Sequence, residues 1–196
     1  LYRVANPRAG ETVVISAAGG AVGTVAGQLA KAERCRVVGL TSTRSKADWL
    51  VDEVGYDLVI DRETKPDLDQ SLRDAVPEGI DVYFDNVGGH VLDTVMAQLK
   101  EGARIALSGA ISEYEGPVEP LFNRYELVTK RVRMEGFMVT DHVEEFPAIL
   151  KDLQNRLADG TLKSFEQIYS GLSETPRAFC DMMHGVSRGK CLVGLE

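Results

Sequence analysis

The chain has 196 residues, 44% hydrophobic and 27% charged, with a formal net charge of −8 and a pI near 5.0. Length and composition fit one generous globular domain, or one domain with an appendage. The acidic balance excludes an electrostatic footprint for nucleic acid or an anionic membrane, yet leaves room for a local basic cluster that holds one phosphate.

Cys35, Cys180 and Cys191 are widely spaced with no CxxC pair, and His90, His142 and His184 lack ligand spacing. Neither a disulfide scaffold nor a metal framework is expected, and a reducing cytoplasm is the default compartment. No apolar run approaches the roughly 20 residues that span a bilayer, and the start shows no signal-peptide pattern. Opening on Leu1, the chain reads as an excised piece of a longer protein.

Residues 1–11 form an entry segment with turn signals at Asn6-Pro7 and Ala9-Gly10. Val13-Val14-Ile15 is a β-branched run that reads as a strand buried on both faces. Small residues fill 16–23, and Val22, Val25, Ala26, Leu29 and Ala30 then recur at helical spacing. Strand, glycine-rich turn and helix make the context a dinucleotide fingerprint requires, because backbone N–H groups must approach a pyrophosphate at a helix N-terminus. Gly20 and Gly23 occupy the second and third glycine positions, and Ala18 replaces the first. A strand-to-helix turn of any α/β protein would also satisfy this pattern, so later segments must decide.

Residues 36–40 make a second buried strand, and the helix from residue 45 puts Ala47, Leu50, Val51 and Val54 on one face before a stop at Gly55. A third strand at 57–60 and a polar helix at 67–75 follow. The fourth strand, 80–85, closes on Asn86-Val87-Gly88-Gly89, ahead of a helix with Val91, Leu92, Val95, Met96 and Leu99 inward. Residues 103–107 form a fifth strand, 113–120 a loop, 122–129 a helix and 132–139 a sixth strand. Val143, Phe146, Leu150, Leu153 and Leu157 mark a long helix ending near Gly160. This alternation predicts an α/β fold, a Rossmann-type doubly wound parallel sheet of six strands. After Gly160 the rhythm changes, with strands at 165–169 and 190–195 around a helix carrying Ala178, Phe179, Met182 and Met183.

The end of the second strand reads Gly39-Leu40-Thr41-Ser42-Thr43-Arg44-Ser45-Lys46. It carries no carboxylate for a ribose 2′-OH, but Arg44 and Lys46 would meet a 2′-phosphate with charge-assisted hydrogen bonds, and Ser42 and Thr43 add hydroxyls. A solvated helix start is the competing reading; cations there oppose the helix dipole, which favours NADP. Asn86, at the carboxyl end of the fourth strand, offers both donor and acceptor to a cofactor, though the same residues serve as a turn. Tyr114, after Ser108-Gly109-Ala110, is either a donor to a substrate carbonyl or a surface tyrosine. Tyr-x-x-x-Lys, P-loop and Gly-x-Ser-x-Gly patterns are absent. His90 reads as a surface helix residue, and Trp49, Met182 and Met183 as packing.

AAGGAVG at 17–23, Lys46, FDNVGG at 84–89, SGAIS at 108–112, EGFMV at 135–139 and RGKCLV at 188–193 occur in one order. Together they resemble the zinc-independent, NADP-dependent branch of the medium-chain dehydrogenase/reductases, in particular the leukotriene B4 12-hydroxydehydrogenase/prostaglandin reductase group and related enone reductases. The resemblance implies hydride transfer from NADPH to the β-carbon of an α,β-unsaturated ketone or aldehyde, with quinone reduction or a non-catalytic NADP(H)-binding module as alternatives. It implies that Gly20, Ala21, Val22 and Gly23 line the pyrophosphate and that Lys46, assisted by Arg62, holds the 2′-phosphate. Asn86 and Gly109 would face the nicotinamide half, with Phe137, Met138 and Val139 beside the ring. Tyr114 would be the catalytic hydrogen-bond donor, and Ser187 stands where relatives carry Asn near the cofactor. The implied division is an NADP-binding domain over 1–164 and a segment over 165–196 that packs on an N-terminal GroES-like substrate domain, of which nothing is found here. A homodimer through the nucleotide-binding domains, meeting at the strand over 132–139, is also implied.

Overall fold

The computed structural model describes residues 1–114 and 118–195, so part of the loop expected over 113–120 lies outside the described residues. Strands β1 (Thr12–Ile15), β2 (Arg36–Thr41), β3 (Leu58–Asp61), β4 (Ile80–Asp85), β5 (Leu99–Leu107) and β6 (Arg133–Gly136) form one sheet. Every pairing in it is parallel, in the order β3-β2-β1-β4-β5-β6. Helices α1 (Ala21–Ala32), α2 (Arg44–Trp49), α3 (Leu68–Ala75) and α4 (Gly89–Ala97) connect the first five strands. The sheet and its alternating helices are those the sequence predicts.

Strand β1 shows why the fold is doubly wound. Its side chains alternate, so Val13 and Ile15 pack with Ala26, Ala30, Trp49 and Leu50 on one face, while Val14 packs with Leu72, Tyr83, Leu92 and Met96 on the other. The helix opened by α2 widens into a π turn over Leu50–Val54 and stops at Gly55, whose φ of +93° only glycine adopts freely. Asp67 caps α3 by accepting from the Gln70 N–H at 3.0 Å.

Three elements depart from expectation. β5 begins at Leu99 because Leu99 pairs with Ile80, extending the strand back through polar residues. β6 ends at Gly136, so Phe137, Met138 and Val139 follow the strand instead of completing it. Asp141 accepts from the Met138 N–H at 3.3 Å, and its own N–H donates to the Met138 carbonyl; this turns the chain into 3₁₀ geometry over Val139–Glu145. Helix α5 (Glu126–Thr129) precedes β6, and α6 (Phe146–Ala158) carries the expected stripe, but none of its residues is buried in this chain.

The C-terminal residues form their own two-stranded parallel sheet, β7 (Glu166–Ser170) with β8 (Lys190–Gly194), joined through α7 (Thr175–Met183). This unit docks on the start of the chain. Gln28 on α1 holds both backbone groups of Lys163, donating at 3.0 Å and accepting at 2.7 Å. Phe165 meets Trp49 edge to face at 5.2 Å, and the Gly189 N–H donates to the Gly19 carbonyl at 2.8 Å.

Candidate functional site

Between β1 and β4 the strand order reverses, and ligands of open α/β sheets bind at such a switch, outside the carboxyl ends of the strands. A cleft of about 420 Å3 opens at that edge. Its floor is the β1–α1 turn, one wall is the start of α2, and residues 182–191 of the C-terminal unit close the other side.

The turn is shaped by contact. Ala17 sits at φ +47°, in the left-handed region, and its carbonyl accepts from the Gly20 N–H at 3.0 Å. A Cβ on Gly23 would lie 2.6 Å from the carbonyl oxygens of both Ala17 and Ala18, so α1 approaches β1 as closely as a missing side chain allows. Ala18 is fully buried beneath the turn. Helix α1 then follows Gly20 with neither a side-chain cap nor an acid in its first turn, leaving the N-terminal N–H groups around Ala21, Val22 and Gly23 for an anion.

The floor of the switch is a buried polar network. Asp85, at the end of β4, accepts from the Ser16 hydroxyl at 2.9 Å, the Tyr83 hydroxyl at 2.7 Å and the Val87 and Gly88 N–H groups at 2.9 and 3.1 Å. Burial and the Asp85 carboxylate drive the Tyr83 phenol far above its usual range, keeping it a donor. Asn86 donates through Nδ2 to the Ser16 carbonyl at 2.7 Å, and its N–H donates to the Ser16 hydroxyl at 2.8 Å. One of the two Nδ2 donors of Asn86 is thereby engaged on the floor, and Asn86 stands beneath the cleft without lining it.

Around the mouth the cations separate into committed and uncommitted ones. Arg44 pairs with Asp48 on its own helix at 2.8 Å and does not line the cleft. Lys46, Arg62 and Lys190 do line it, and none of the three forms an ion pair among the described residues. Lys46 is 6% exposed, its stem runs along Gly19, and its ammonium donates to the Gly185 carbonyl, to which Ser42 also donates at 3.3 Å. Burial first, and the Arg188 guanidinium second, push the Lys46 pKa down to about 8.

Of the other residues expected at the site, Gly20, Ala21, Ser42 and Ser187 line the cleft, Ser187 being nearly buried. Gly109 follows β5 beside Asn86, and a Cβ there would stand 3.5 Å from the Tyr114 hydroxyl. That brings Tyr114, 65% exposed, to the same edge without its entering the cleft. Phe137 packs against Phe84 at 6.2 Å, whereas Met138 and Val139 are exposed. Met182 and Met183, read as packing, instead face the cleft with Val87, Val91 and Ile111; an apolar stripe at helical spacing looks the same in either role. Trp49 is core, as expected. No three His, Cys, Asp or Glu side chains come together as metal ligands among the described residues, which therefore do not fit a zinc set.

A family model described as zinc-binding dehydrogenase matches residues 21–155. The chain is 40% identical over 196 residues to prostaglandin reductase 1 of Rattus norvegicus, and 39% identical over 193 residues to the NADP(+)-dependent 2-alkenal reductase of Nicotiana tabacum. Both matches take in 98% of this chain but only 59% and 56% of the relatives. A crystal structure of CurA from Vibrio vulnificus in complex with NADPH superposes on all of the chain with a TM-score of 0.91 at 36% identity, and 60% of that protein is covered.

Proposed function

The chain belongs to the zinc-binding dehydrogenase family, and on that premise we propose that it is the nucleotide-binding part of an NADPH-dependent oxidoreductase. The reaction proposed is reduction of the C=C bond of α,β-unsaturated ketones and aldehydes, without zinc. The observation that carries the reading is that cations without an ion pair among the described residues, Lys46 and Arg62 with Lys190, line a switch-point cleft whose second strand ends in hydroxyls and not a carboxylate. The names of the alkenal and prostaglandin reductases, and the NADPH bound by CurA, support the same cofactor and substrate class.

NADPH, when bound, supplies the hydride. In this reading the N–H groups at Gly20, Ala21, Val22 and Gly23 bind the pyrophosphate, with Ala18 packed beneath them. Lys46, Arg62 and Ser42 bind the 2′-phosphate, Arg44 contributes only field, and Ser187 lies against the cofactor from the C-terminal side. The Asn86 Oδ1 and the backbone at Gly109 orient the nicotinamide half, while Phe137, Met138 and Val139 exclude water there. Tyr114 donates its hydroxyl to the substrate carbonyl oxygen and stabilises the charge that gathers on it. A conjugated carbonyl accepts hydride without a metal if that oxygen is hydrogen-bonded, and solvent protonates the α-carbon.

The chain spans less than two thirds of these relatives, and in this reading the remainder of the substrate pocket belongs to a GroES-like domain. Residues 1–164 form the NADP-binding domain in this reading, and 165–196 the segment that packs on the GroES-like one. Exposed Ile168, Leu172, Phe179 and Val186 support that surface. Free cysteines fit a reducing cytoplasm. The outer edge of β6, unpaired among the described residues, and the bare stripe of α6 support a homodimer, which sedimentation equilibrium would read as twice the 21.4 kDa chain mass.

The test is NADPH consumption with but-3-en-2-one or with a quinone, using the protein together with its substrate domain. Consumption with the enone, reduced by Tyr114→Phe, upholds the proposal. Turnover of the quinone alone would make it a quinone reductase, and tight NADPH binding with neither turned over would make it a sensor.

A further inference from the structure

The cations at the cleft number more than the glycine and lysine motif predicts. Residues 185–190 cross the carboxyl edge of β1 and β2, pinned by the Gly189 N–H on Gly19 and by Lys46 and Ser42 on the Gly185 carbonyl. From that crossing Arg188 turns back onto α2. Its Cζ lies 5.6 Å from the centroid of the Trp49 ring, and its Nη2 donates to the Ser45 carbonyl, one residue before Lys46, at 3.2 Å. The guanidinium is thus held in place by a buried aromatic ring and a backbone acceptor.

Arg188 forms no ion pair among the described residues, and its remaining side-chain N–H donors are unused there. Arg188 itself does not line the cleft, but its neighbours Ser187, Gly189 and Lys190 do. A planar donor fork, held on the residue before a buried lysine and forming no ion pair among the described residues, carries like charge to that ammonium and repels it until an anion enters. By contrast Arg44, nearer the strand end in sequence, is neutralised by Asp48.

We propose that Arg188 is a specificity-determining residue of this site, completing with Lys46 and Arg62 a cradle for a phosphomonoester on the cofactor's adenosine ribose. This rests on the dinucleotide reading above and adds to it a residue from the C-terminal segment. The 2′-phosphate is then bound from both sides, by the six-stranded domain and by the segment that crosses it. The depressed pKa of Lys46, to which Arg188 contributes, is the electrostatic trace of the same pairing.

The test compares adenosine 2′,5′-bisphosphate with AMP by calorimetric titration, because the two ligands differ only in the 2′-phosphate and need no nicotinamide pocket. Arg188→Gln is expected to weaken the bisphosphate about tenfold, equivalent to about 1.4 kcal/mol, with AMP nearly unchanged. Arg188→Lys, which keeps the charge and loses the fork, is expected to fall between Gln and the parent. Equal weakening of both ligands would mean that Arg188 only fastens the C-terminal segment, and no weakening of either would also overturn the proposal. If the parent chain does not prefer the bisphosphate, the whole 2′-phosphate site fails and Arg188 with it. If the parent prefers it, and Lys46→Ala abolishes the preference while Arg188→Gln does not, only the role of Arg188 falls.

Discussion

Two residues of the cleft show opposite ways in which a single position is constrained. Gly23 is fixed by space: an added methyl would stand 2.6 Å from two backbone carbonyl oxygens that cannot rotate away. Gly23→Ala should therefore destabilise the fold by about 1–3 kcal/mol through overpacking, read as a lower urea midpoint at unchanged slope. An unchanged midpoint would mean that α1 slides off β1 at little cost. Lys46 is constrained by charge. In the unfolded chain it titrates near 10.5 and in the fold near 8, so below pH 8 both states are charged and the fold carries the whole burial penalty. Between those values the folded protein gives up its proton first, the penalty fades, and stability rises with pH. Lys46→Met should flatten that rise, measured as urea midpoints on either side of the window. Affinity for NADPH should move the other way, falling as pH climbs through 8, because the phosphate needs the ammonium charged. A rise in affinity over that range would sink the assignment of Lys46.

Elements made of side-chain pattern were legible in the sequence, and contacts made of backbone were not. β1 to β4 are apolar runs bounded by turn residues, and their observed limits lie within a residue or so of the predicted ones. β5 starts early because its first residues pair through main-chain groups that no apolar pattern marks. The glycine turn and Lys46 follow from motif and spacing, and Arg62 from the family resemblance, whereas the C-terminal wall of the cleft does not follow from pattern. Its fastenings are the N–H of Gly189 on Gly19, Lys46 and Ser42 on the Gly185 carbonyl and the amide of Gln28 on Lys163. Gly189 carries the sharpest consequence. It sits at φ +65°, and a Cβ there would overlap the Phe165 carbonyl. Gly189→Ala should release β7 and β8 from α1, so their amides exchange faster and the connection around residues 159–163 is cut sooner by protease. The six-stranded sheet should keep its protection, since its cores lie elsewhere. Unchanged exchange in β7 and β8 would show that Gln28 and Phe165 suffice to hold the segment.

At the scale of the whole molecule, the cleft is where otherwise separate parts meet. The two core clusters lie on opposite faces of the sheet, and the C-terminal unit has its own small sheet. The turn after β1, the start of α2, the loop after β4 and the crossing at residues 185–190 converge only there. A ligand that touches all of them binds the folded state alone, so it should raise the stability of the whole chain and not of one element. At about one hundred times its dissociation constant NADPH should add about 2.7 kcal/mol. For a chain of this size, that corresponds to a melting temperature higher by roughly 5–10 °C. NADH at the same concentration lacks the phosphate that Lys46, Arg62 and Arg188 are positioned to receive, and should give a clearly smaller shift. Lys46→Ala should bring the NADPH shift down toward that of NADH, Arg62 and Arg188 keeping the remainder, while leaving the NADH shift in place. Equal shifts for the two nucleotides in the parent chain would mean that the cationic wall does not read the ribose phosphate. A shift confined to the exchange rates of the C-terminal strands would mean that the ligand clamps the segment without coupling it to the sheet.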